Sequence, residues 1–96
     1  MILETVILNI KEGQSKLFEK AMQEAKPIIA AQKGFIDFAF QKCIEKENQY
    51  LLLVNWKTLE DHEIGFRKSE DYQKWKALLH HFYEPFPIVE HYKSIQ

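Results

Sequence analysis

Residues 2–10, ILETVILNI, carry apolar side chains on both alternating sets: Ile2, Val6, Leu8 and Ile10 on one, Leu3 and Ile7 on the other. Successive strand side chains point to opposite faces, so the pattern predicts a strand that is apolar on both. Gly13 and Ser15 punctuate the chain, and Leu17, Phe18, Ala21, Met22, Ala25, Ile28 and Ile29 then recur at helical spacing. A helix over about 15–31 follows, with Pro27 as a kink or stop and Gly34 closing it. FIDFAFQKC (35–43) and QYLLLVNWK (49–57) are strand-like and separated by the charged, turn-prone EKEN, which predicts an antiparallel hairpin. Thr58, with Asp61 three residues on, suits the N-cap of a second helical region that runs to about Phe82 and breaks near Gly65. Pro85 and Pro87 end that region, and IVEHYKSI supplies a last strand.

The order β-α-β-β-α-β is that of an α+β, ferredoxin-like domain, one unit spanning residues 1–96. Helices on one face of an antiparallel sheet leave the other bare, and strands 1–3 read as apolar on both sets. A second copy of the sheet is the economical cover, so a homodimer is expected.

Composition narrows the partners. Thirteen Lys plus Arg against 14 Asp plus Glu give a net charge of -1, so no field draws in nucleic acid or anionic lipid. Cys43 is the only cysteine, which suits a reducing compartment, and no apolar run reaches the 18 or so residues of a membrane span. A cytoplasmic protein without nucleic-acid or membrane partners is expected.

All four histidines and seven of the 13 aromatic residues fall between positions 62 and 92. Trp56 at the end of the third strand, then KTLEDH, GFRKSEDYQKW and the closing LLHHFYEPFPIVEHY, resemble the antibiotic biosynthesis monooxygenase family, and the likeness runs along nearly the whole chain. The resemblance implies a dimeric α+β barrel. It leaves chemistry open, because this fold hosts cofactor-free oxygenation of phenols and quinols, haem degradation and isomerisation of small molecules. Haem-degrading members carry an Asn on the first strand and a Trp and a His on the second helical region. Counting from Gly13 and Ser69 places Val6, Phe66 and Lys76 at those positions, which leaves no axial ligand there and disfavours haem, with His80 one turn later as the residue to watch.

His62 stands three residues after Leu59 and four before Phe66, so a helix turns it to the apolar side, where an imidazole that titrates near neutral pH can take a proton from a phenol. Glu4 interrupts an apolar strand face and needs either a polar cavity or a partner; two readings are open, one in which it shares the pocket face of Val6 and one in which, near the strand's start, it emerges at the edge. Tyr72, Trp75, Leu79 and Phe82 form a helical stripe toward the sheet. Trp56, Phe66, Tyr72, Trp75, His80 and Tyr83 are accordingly read as the binding wall for a flat aromatic ligand, with His62 and Glu4 as the catalytic pair and His81 on the solvent side. His80, His81, Glu90 and His91 do not converge as metal ligands, and no phosphate loop or nucleophile elbow is present, so neither metal nor cofactor is expected. The resulting expectation is a cofactor-independent monooxygenase for a small aromatic phenol or quinol. A non-catalytic small-molecule binding protein and an isomerase that moves protons between His62 and Glu4 are the alternatives.

Overall fold

The computed structural model describes all 96 residues, and its order is β1 (Ile2–Asn9), α1 (Ser15–Ala30), β2 (Phe35–Lys42), β3 (Gln49–Trp56), a π-helical turn (Asp61–Phe66), α2 (Glu70–Leu79), a 3-10 turn (His80–Phe82) and β4 (Val89–Tyr92). The four strands form one antiparallel sheet in the order β2-β3-β1-β4, the ferredoxin-like arrangement. Both helices cover the same face. The two are tied by Gln32 Nε2, which donates to Asp71 Oδ2 at 2.9 Å.

The alternation of β1 and β3 explains which face is covered. Glu4, Val6, Leu8 and Ile10 of the β1 segment and Tyr50, Leu52, Val54 and Trp56 of β3 are buried under the helices. From α1 come Phe18, Met22, Ala25 and Ile29, spaced by three or four residues and all buried. At one end of this core Phe18 meets the edges of Tyr50, Phe82 and Phe40 at ring distances of 5.2, 5.5 and 5.7 Å. Edge-to-face pairs of this kind add about 0.5–1.5 kcal/mol each beyond burial, and they anchor α1 to β2, β3 and the 3-10 turn.

Pro27 neither ends nor displaces α1, which continues to Ala30. The break in the second helical region comes at Arg67–Ser69 instead of Gly65: the π-helical turn runs through Gly65, and Ser69 then caps α2 by accepting from the Tyr72 N–H at 3.1 Å. Thr58 acts as expected at the start, its Oγ1 accepting from the Asp61 N–H at 3.1 Å. Gly34, with φ of +83°, ends the α1–β2 connection close against Asp61, whose carboxylate fills the place of a Cβ.

The open sheet face is less apolar than expected, most of all in β2. Its β1 and β3 residues include the apolar Leu3, Ile7, Leu51 and Leu53, with Ile7 and Leu51 exposed, set among the polar Thr5, Asn9, Gln49 and Asn55, and Ile88 and Tyr92 continue the patch beside them. In β2, however, the residues paired with the open-face positions of β3 are Asp37, Ala39 and Gln41, while Phe38 and Phe40 turn to the helix side. The apolar strip is therefore confined to β1, β3 and the β4 edge.

Candidate active site

Between the sheet and α2 lies a cavity of about 370 Å³. Glu4, His62, Phe66, Tyr72, Trp75, His80 and Tyr83 all border it. Trp56 does not. That residue is fully buried behind the wall, where its indole stacks on His62 at 5.1 Å between ring centres and backs the site without facing a ligand.

Strand register builds the polar corner. Glu4 on β1 lies opposite Val54 of β3, which makes Trp56 its diagonal neighbour on the same face, and Trp56 Nε1 donates to Glu4 Oε1 at 2.9 Å. On the other side Glu4 lies opposite His91 of β4. The π-helical turn after β3 places His62 above both: its Nε2 is 3.4 Å from Glu4 Oε1, and its Nδ1 is 2.8 Å from His91 Nε2. No buried side-chain polar atom lacks a partner, and Oε2 of Glu4 makes no hydrogen bond, so that oxygen retains access to the cavity it borders.

Burial sets the titration of this corner. Glu4 is 5% exposed, and desolvation pushes its carboxyl from 4.5 up to about 7, against the Trp56 hydrogen bond and the Arg67 charge, which pull the other way. His62 is 3% exposed, and desolvation, aided by Arg67 and His91, lowers its imidazole from 6.5 to about 3. His62 is therefore neutral at physiological pH, a correction to the reading of it as the near-neutral group. Glu4 is the residue that titrates there.

The aromatic wall is interlocked. Phe66 meets Tyr72 and Trp75 edge-on at 5.2 and 5.7 Å, and the Tyr72 hydroxyl lies 3.5 Å from His80 Nε2. Burial raises the phenols of Tyr72 and Tyr83 and lowers the imidazole of His80. His81 is exposed, as the stripe implied. Lys76 is exposed too, and the inward position is Trp75, one residue earlier than the count from Ser69 had placed it.

The family model for antibiotic biosynthesis monooxygenases matches residues 1–78. The chain belongs to the antibiotic biosynthesis monooxygenase family. A Bacillus subtilis relative, the uncharacterised protein YczJ, is 54% identical over 95 residues, covering 99% of this chain and all of that one. Among solved structures, a candidate antibiotic biosynthesis monooxygenase from Bordetella bronchiseptica superposes with a TM-score of 0.93 at 28% identity, over 99% of this chain and 97% of that one. SnoaB, a cofactor-independent oxygenase from Streptomyces nogalater, gives 0.82 at 15% identity over 99% and 93% of the two chains, a likeness of fold.

Two polar residues of this family member's corner escaped the sequence reading. Arg67, the chain's one arginine, borders the cavity and has no carboxylate partner; its singularity among 12 lysines was the available signal. His91 does not converge with the other histidines in sequence, and only the pairing of β4 with β1 puts it beside Glu4.

The Glu4 shift has a signed consequence. Its folded value, about 7, lies above the ordinary 4.5, so the protonated form is favoured by folding: ionisation costs nothing below pH 4.5, and the cost grows as pH rises to 7. At full ionisation it reaches about 3 kcal/mol. Glu4→Gln, which keeps the shape and cannot ionise, should therefore gain on the wild type by about that amount between pH 5 and pH 8 in urea melts. The His62 effect, which costs stability as pH falls below 6.5, is common to both proteins and cancels in the difference.

Proposed function

We propose that the protein is a cofactor-independent monooxygenase for a small phenol or quinol. The observation that carries this reading is the Glu4 carboxyl, poised near neutral pH and open to a cavity with aromatic walls. The cavity's 370 Å³ suits a ligand of one or two fused rings. Tyr72, Trp75 and Phe66 supply edges and faces for such a ring.

In this scheme the ionised Glu4 accepts the proton of the substrate hydroxyl, and the Arg67 guanidinium, free of any carboxylate, stabilises the phenolate that forms. The electron-rich ring then passes an electron to dioxygen. Recombination forms a carbon–oxygen bond, and loss of water leaves one oxygen atom in the product as a quinone carbonyl. His62 acts here on Glu4: packed on Trp56 and neutral, it holds the carboxyl's position and is not itself the base. A proton-transfer isomerase uses the same Glu4–His62 pair and consumes no oxygen.

A second copy of the chain is the proposed cover for the open sheet face. Exposed Ile7, Leu51 and Tyr92 form a strip there that a facing sheet would bury, and Ile88 extends it.

Two measurements test these statements. An oxygen electrode with a panel of naphthols and naphthoquinols should record uptake equal to product formed, and Glu4→Gln should lower the turnover of an accepted substrate by about 10²- to 10⁴-fold. Product formation without oxygen uptake would favour the isomerase. Light scattering should give a mass near twice the 11.5 kDa of one chain, unchanged on dilution, and a stable monomer would remove the second copy.

A further inference from the structure

A carboxyl that accepts protons inside an apolar cavity must also lose them before it can act again. Glu4 Oε1, His62 and His91 stand in series from the core to the sheet edge. His62 Nε2 stands 3.4 Å from Glu4, His62 Nδ1 stands 2.8 Å from His91 Nε2, and His91 is partly exposed on β4. The 3.4 Å step is about half an ångström longer than a closed hydrogen bond, within the range that catalytic contacts tighten when a ligand is bound.

We propose that His62 and His91 are a proton relay that connects Glu4 to solvent at the β4 edge. Each atom of the transfer is accounted for. With Glu4 protonated, its O–H donates to His62 Nε2, so His62 carries its proton on Nδ1 and donates to His91 Nε2, and His91 carries its proton on Nδ1. When Glu4 releases its proton to His62 Nε2, His62 passes the Nδ1 proton to His91 Nε2, and the His91 Nδ1 proton leaves to water. Three bonds to hydrogen break and three form, no imidazole ends charged, and both histidines have exchanged tautomers.

The alternative is that the 2.8 Å contact merely fastens β4 to the π-helical turn. A purely structural bond needs one tautomer and has no reason to follow the state of Glu4. Other groups face the series without interrupting it. Arg67 acts on all three members, Tyr72 and Tyr83 approach Glu4 from the α2 side, and Glu63 faces His91. The relay rests on the proposed function only in giving Glu4 a proton to pass on. Its structural part is readable without turnover, so a protein whose histidines switch but which consumes no oxygen overturns that function and keeps the relay.

Long-range proton–nitrogen NMR on the full ¹⁵N-labelled chain between pH 6.5 and 8.5 tests it, because the ring nitrogens report the tautomer directly. The expected result is that His62 and His91 both move from the Nδ1–H to the Nε2–H form with one shared midpoint near 7, the midpoint at which Glu4 ionises. In Glu4→Gln both should stay fixed across that range. A wild-type His62 that keeps one tautomer while Glu4 ionises overturns the relay. So does a switch that persists in Glu4→Gln. The wild-type titration decides the matter even where the variant folds poorly.

Discussion

A carboxyl group buried without a lysine or arginine bonded to it is the constraint around which one end of this protein is organised. Glu4 sits on a strand face that is otherwise apolar, and its partners are an indole N–H at 2.9 Å and an imidazole at 3.4 Å. Neither carries a full charge at neutral pH, so desolvation goes largely uncompensated and the carboxyl holds its proton to about pH 7. A salt-bridged glutamate at the same place would be ionised and inert as an acid. The same desolvation keeps His62 neutral, and two groups with ordinary values of 4.5 and 6.5 thereby exchange their order of protonation.

The rest of the fold keeps this corner in place and leaves room beside it. At the far end Phe18 fills the core through edge contacts with Phe40, Tyr50, Phe82 and Tyr83. Toward Glu4 the packing leaves a cavity, beside which Phe66 bridges Trp56 and Trp75 at ring distances of 6.0 and 5.7 Å. Trp56 serves both the packing and the chemistry: its ring fills the space under the π-helical turn, meeting Phe35 edge-on at 6.2 Å, and its N–H orients the carboxylate. The π-helical turn matters for the same reason. It carries both His62 and Phe66 inward over six residues, and it releases Arg67 to the rim where α2 begins.

Most of the fold was legible because the signals are local. The alternation of ILETVILNI, the three- and four-residue spacing from Phe18 to Ile29, and the charged EKEN turn each name an element without reference to the rest of the chain. The outward face of β2 was legible in part, since Asp37 and Gln41 alternate with Phe38 and Phe40 in FIDFAFQKC; what the alternation hides is the irregularity between Phe35 and Asp37, which puts Phe35 on the helix side with Phe38 and Phe40. Much of the cavity wall could be read, as helical spacing turned His62, Phe66, Tyr72 and Trp75 to one side. Its polar geometry could not. That Glu4 meets Trp56 and His91 depends on strand register between segments about 50 and 90 residues apart, and the protonation order of Glu4 and His62 depends on how deeply each is buried. Trp56 illustrates the limit: an inward aromatic at a strand end reads equally as a wall or as the support behind it.

The chemistry of this corner depends on the protonation of Glu4. A carbon-13 NMR titration of the glutamate side-chain carboxyls, with the Glu4 resonance assigned by its loss in Glu4→Gln, measures it directly. The predicted result is one carboxyl with a midpoint near 7, set apart from the rest. A midpoint for Glu4 at or below the ordinary 4.5 would contradict the account, for it would mean that the carboxyl is ionised at neutral pH by a partner or by water that the buried corner does not provide.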